Sequence, residues 1–172
     1  IQHGFLYNQP SRLWYSGPFF RRERPQKGRY RQFHQIGVET FGFLGPDIDA
    51  ELIILSQHMW QKINLPLKPR LEINSLGTPQ VRQAYRKKLI TYFRQHEIKL
   101  DHEAKQRLQS NPMRILDSKN PDLQNIIQNA PSLLDYLDTE SAEHFKKLQQ
   151  ALTAADIEYT INPRLVRGLD YY

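Results

Sequence analysis

The sequence predicts an α+β protein, an antiparallel-sheet core that carries an all-helical insertion. Three observations predict it. Strand-like, aromatic-rich segments flank a basic turn early in the chain; capped helices run from about Thr78 to Leu137; and a helix with strand-like residues after it then restores the first texture. The expected divisions are 1–77, 78–137 and 138–172.

The elements follow in order. Leu13 to Arg24 reads as a strand, Pro25 and Lys27-Gly28 supply the reversal, and Gln32 to Leu44 reads as the returning strand. Asp47 and Asp49 open a helix with Ile48, Leu52, Leu55, Met59 and Ile63 at helical spacing. Pro66 and Pro69 interrupt, and Leu71-Glu72-Ile73-Asn74 reads as a short strand of a largely antiparallel sheet. Thr78-Pro79 is a cap followed by proline at the first helical position, and Val81, Tyr85, Leu89 and Phe93 form one stripe. Asp101 and Asn120-Pro121 start two more short helices, with a break at Asn111-Pro112. A helix from about Ser141 to Ala155, strand-like Glu158 to Ile161, and Arg164 to Tyr172 complete the chain.

Composition narrows the function. Across 172 residues, 24 Lys and Arg face 18 Asp and Glu, a net charge of +6, and the pI is about 9.5. That balance favours a polyanionic partner. The absence of cysteine excludes disulfide staples and zinc ribbons. A mean hydropathy of −0.68 and the lack of any long apolar run predict a soluble protein with no membrane partner. The six histidines show no metal-ligand spacing, and no protein-ligated metal is expected. No GxxxxGK[ST], GxGxxG or GxSxG occurs, which argues against P-loop, Rossmann and serine-hydrolase chemistry. Starting at Ile1 and ending at Tyr171-Tyr172, the chain is expected to be cut from within a longer domain.

Phe20 to Gln35 concentrates the chemistry, setting six Lys and Arg side chains against Glu23 alone. Strand parity puts Phe33, Gln35, Glu39 and Phe41 on one face and Ile36, Val38 and Leu44 on the other, which can face a core. Arg21 and Glu23 share a face, and a turn centred on Lys27-Gly28 places them opposite Gln35 and Phe33, with Arg29 reaching over. Guanidinium groups grip phosphate oxygens and aromatic rings stack on purines, so the pattern suits a nucleoside triphosphate lying across the sheet. Taken singly, the basic turn reads equally as a solvated loop or a nucleic-acid contact, Phe33 as a core aromatic and Glu39 as a surface carboxylate.

Arg21-x-Glu23, the basic turn and Arg29-x-x-x-Phe33 resemble the second signature motif of class II aminoacyl-tRNA synthetases. The longer string Phe20 to Glu39, Gly45 to Glu51, Leu71 to Gly77 and the terminal Leu165-Val166-Arg167-Gly168-Leu169-Asp170-Tyr171-Tyr172 resemble histidyl-tRNA synthetases in particular. The resemblance implies an ATP-dependent ligase, a cytoplasmic homodimer that activates L-histidine to histidyl-adenylate and transfers it to tRNA(His), with Mg2+ accompanying ATP. It implies that Arg21 binds the α-phosphate and the histidine carboxylate, Glu23 faces the adenine end, Arg29 holds the γ-phosphate and Phe33 stacks under adenine. Gln35 would hold the amino acid, and Glu39 with Tyr171 and Tyr172 would recognise its imidazole. Arg167 would be the second catalytic arginine beside Arg21 and also touch histidine. Parity sets Arg167 and Tyr171 on one face and Tyr172 on the other, so a bulge near Gly168 or a strand end decides which tyrosine lines the pocket.

The same resemblance makes the stretch from about Thr78 to Leu137 an insertion domain that approaches the tRNA acceptor arm. The family's first and third motifs and anticodon-binding domain have no counterpart here, so the chain reads as an internal piece of the catalytic core, inactive alone. Two rivals stand beside this reading: a regulatory subunit of histidine biosynthesis sharing the fold, and a plain RNA-binding module.

Overall fold

The computed structural model describes residues 9–166. Arg167, Tyr171 and Tyr172 lie outside them. Two antiparallel strands come first, β1 (Ser11–Phe20) and β2 (Gln32–Phe41), paired from Ser11 opposite Phe41 to Phe20 opposite Gln32. Gly42, at φ 78°, ends β2 in a left-handed conformation suited to glycine, short of the expected Leu44. Helix α1 (Pro46–Lys62) follows, with Pro46 at its start and Asp47 and Asp49 in its first turn.

A small core forms behind α1. Strands β3 (Glu72–Ile73) and β4 (Thr160–Ile161) pair in parallel, and α5 (Thr139–Ala154) packs on α1. Ala50, Ile73, Phe145, Leu148 and Leu152 are its buried residues. The sheet is therefore antiparallel only in the hairpin. A parallel pair needs a long crossover, and the whole helical stretch between β3 and β4 supplies it. Asp156, at φ 55°, turns the chain out of α5 while the Ile157 N–H donates to the Leu152 carbonyl at 3.0 Å.

The helical stretch has a core of its own. Helix α2 (Pro79–Gln95) buries Val81, Tyr85, Leu89 and Phe93, the stripe expected from spacing, and Thr78 caps it by accepting from Val81 N–H at 3.3 Å. Helix α3 (His102–Ser110) is capped by Asp101, which accepts from Ala104 N–H at 2.7 Å. Short 3-10 turns at Pro112–Ile115 and Pro121–Leu123 follow the two Asn-Pro steps, and α4 (Gln124–Gln128) continues the second. Together they enclose Leu100, Leu108, Ile115, Leu123 and Leu133 around the α2 stripe. Burial pushes the Tyr85 hydroxyl up to about 12. It stays protonated and donates to the Pro131 carbonyl at 2.9 Å.

The chain enters and leaves this unit at one place. Thr78 Oγ1 donates to Asp138 Oδ2 at 3.0 Å, joining the cap of α2 to the cap of α5. A Cβ at Gly77, whose φ is 58°, would come within 2.8 Å of Val81 and 3.1 Å of Leu137, so a side chain there would crowd the neck in a strained backbone conformation.

Candidate functional site

The β1–β2 hairpin presents Tyr15, Gly17, Phe19, Phe33, Gln35, Gly37 and Glu39 on one face. Its register differs from the sequence expectation: Gln35 pairs with Gly17 and Phe33 with Phe19, whereas Arg21 N–H donates to the Arg31 carbonyl at 2.8 Å. Pro25 has no N–H to give, so the residues around it leave the ladder before the turn closes. The turn itself lies where expected. Arg29 N–H donates to the Gln26 carbonyl at 2.8 Å around Gly28, at φ 74°. The displacement is an even number of residues, so the facial assignments survive it.

Arg21 reaches this face from beyond the end of β1. Its Nε donates to the Tyr30 carbonyl at 2.7 Å, and its guanidinium lies 4.5 Å from the centre of the Phe33 ring. Phe33 has Phe19 beside it at 6.1 Å, a tilted contact. Arg29 is ion-paired with Glu23, so the two groups expected at opposite ends of a nucleotide hold one another. Farther along, Gln35 Nε2 donates to Tyr15 Oη at 3.2 Å. Glu39, on the same face opposite Leu13, has no polar side-chain partner among the described residues. From Phe33 to Glu39 the face extends roughly 20 Å at strand rise, long enough for a nucleotide at one end and a small amino acid at the other.

Tyr15 and Phe19 are the residues that the sequence reading passed over. The Tyr15 ring lies across Gly37, where a Cβ would fall 2.1 Å from the ring. Gly17 has nothing within 4 Å of a Cβ position, which leaves the floor open beside Gln35. Their alternation with Phe33 and Gln35 was the available signal, and only the register shows that they stand opposite.

On the other face, Ile36 and Val38 do not enter a core. They line an open cleft of about 540 Å³ with Trp14, Leu52, Leu55 and Met59. Ile36 is 65% and Leu44 94% exposed, because α1 alone leans across this side among the described residues. Arg12 ties the two together, with Nε and Nη2 on the Glu51 carboxylate at 2.6 and 2.7 Å. No three His, Asp or Glu side chains converge as a metal cage among the described residues, and no described helix is long and apolar enough to cross a membrane.

The family model described as histidyl-tRNA synthetase matches residues 1–172, the full sequence. The chain belongs to the histidyl-tRNA synthetase family. The structure is also similar to the apo histidyl-tRNA synthetase of S. aureus, with 35% sequence identity and a TM-score of 0.71. The match covers all of this chain and 40% of that one. The α+β architecture, a small antiparallel sheet with many helices, is thus that of a segment of a histidyl-tRNA synthetase.

Proposed function

We propose that this chain is part of the catalytic domain of a histidine–tRNA ligase, which activates L-histidine with MgATP and passes it to tRNA(His). The observation that carries the reading is the Arg21 guanidinium seated over Phe33, on the hairpin face that Gln35 and Glu39 share, in a member of this family. In this reading Arg21 leaves the Phe33 ring to meet the α-phosphate, and Phe33 stacks under the adenine. Glu23 and Arg29 must part to reach adenine and γ-phosphate, and exchange of one ion pair for a phosphate contact is inexpensive at a half-exposed site. Gln35 and Glu39 serve the histidine end, together with Tyr171, Tyr172 and Arg167.

The histidine carboxylate attacks the α-phosphorus in line, a P–O bond forms, and the bond to the β-phosphate oxygen breaks to release pyrophosphate as its magnesium complex. The nucleophile is already anionic, so no protein base is required. Catalysis rests on alignment and on Arg21 and Arg167 meeting the charge that grows on the α-phosphate. The stretch 78–137 is the insertion domain, set apart by its own core and by the Thr78–Asp138 neck, and its partner is the tRNA acceptor arm. Since this chain spans 40% of its S. aureus relative, activity and dimer formation belong to the whole protein.

Histidine-dependent ATP–pyrophosphate exchange by the full-length protein tests the reading. The expected result is robust exchange that Glu39→Ala weakens through a raised histidine KM, with the ATP KM little changed, because a ring nitrogen loses its acceptor. A protein that binds histidine without exchange would be a regulatory relative. One that binds RNA and ignores histidine would be an RNA-binding module.

A further inference from the structure

Residues 162–166 form the seam between the two cores. On one side, Asn162 N–H donates to the Ile73 carbonyl at 2.9 Å and its Nδ2 to Glu72 at 2.7 Å, while Asn74 Nδ2 donates to the Leu165 carbonyl at 3.2 Å. On the other side, Arg164 sends its guanidinium into the helical unit. Nη1 donates to the Pro131 carbonyl at 3.0 Å, and Nη2 to the carbonyls of Gln128 at 3.0 Å and Ala130 at 2.6 Å. These are carbonyls left without helical partners where α4 ends, and a planar fork of fixed donors suits several at once. The Tyr85 hydroxyl donates to the same Pro131 carbonyl, and Val166 is buried among the helical residues. Backbone is thus held by β3 and side chains by the helical unit, one residue before Arg167.

We propose that Arg164 is a positioning residue, which registers the segment leading into Arg167 against the helical unit and so makes adenylate formation depend on how that unit is seated. The role rests on the reading of Arg167 given above. Arg164 touches no substrate in this scheme. It acts by fixing where the chain emerges from the seam, and an arginine that must meet the α-phosphate tolerates little displacement.

The test is pyrophosphate exchange by full-length Arg164→Ala, Arg164→Lys and Tyr85→Phe proteins, each with a thermal melt. Arg164→Ala is expected to lower kcat roughly ten- to a hundredfold, the scale of a misplacement near 1 Å, with the KM values for ATP and histidine held within about threefold. Arg164→Lys keeps the charge without the fork and should recover only part of kcat. Tyr85→Phe removes the other donor to Pro131 and should lower the melting temperature while leaving kcat near wild type. Should Arg164→Ala fail to fold, the kcat of Arg164→Lys decides. A kcat within twofold of wild type in the Arg164 variants, or an equal fall in kcat in Tyr85→Phe, overturns the positioning role and leaves the function intact. A wild-type protein without exchange overturns the functional reading first, and the positioning role with it.

Discussion

The helical unit and the β1–β2 hairpin are built on opposite terms. In the first, Tyr85, Leu89, Phe93 and Ile115 are fully buried. In the second, no residue of either ten-residue strand is buried, and Trp14 is 75% exposed. Yet the hairpin holds the motif residues, while the helical unit holds none of those proposed for ATP or histidine. The difference teaches that the buried core and the motif residues are carried by separate parts of this chain: one part encloses a core, and the other leaves its faces open.

The sharpest way to break that comparison is to damage both regions equally. Phe93→Ala is expected to cost about 3–5 kcal/mol, the loss of a fully buried ring with its cavity. Trp14→Ala should cost about 0.5 kcal/mol or less. Denaturant melts of the two variants measure this, and comparable losses would mean that the hairpin is as strongly packed as the helical core. Next in size, Arg21→Ala should lower pyrophosphate exchange by about 10²–10³, as for a lost oxyanion donor, with the melt unchanged. A lowered melt matching the lost rate would make Arg21 a structural residue.

Smaller effects sharpen the boundary between the regions. Thr78→Ala removes both the α2 cap and the bond to Asp138, and about 1–2 kcal/mol of stability should go with it. Exchange kcat should change little, because the three Arg164 bonds still seat the helical unit. Acid should act through the caps of α3 and α5. Asp101 is held below the ordinary aspartate value of 3.8 by Ala104 N–H and Asn120, and Asp138 by the Ser141 N–H and hydroxyl. Lowered folded values mean that the unfolded chain takes up more protons near and below pH 3.8, so this stabilisation is present above that pH and is lost as pH falls through the folded values. Melting followed from pH 6 to pH 2 should show the fall, and Asp101→Asn should flatten it.

How far the sequence carried the structure depended on whether neighbours in the chain decided the outcome. The α2 stripe, its Thr78-Pro79 start, the Asp101 cap and the Gly28 turn are local, and all stand where periodicity and capping put them. The hairpin register was misjudged because Arg22 to Pro25 leave the ladder, a choice made between strands. The parallel β3–β4 pair was missed because its partners meet only across the helical unit. For the site, parity alone grouped Phe33, Gln35 and Glu39. Tyr15 escaped because its contact with Gln35 exists only once β1 lies beside β2, and Arg164 because its three carbonyls are distant in sequence.

The neck at Thr78 and Asp138 also bears on the order in which this chain can fold. Pairing β3 with β4 from an open chain requires closing the whole stretch between Ile73 and Thr160. Once the helical unit has formed from its local contacts and its ends have met at the neck, the loop still to be closed shrinks to roughly a third, easing closure by about 1 kcal/mol. The parallel pair is therefore expected to form late, and weakening the neck should slow folding.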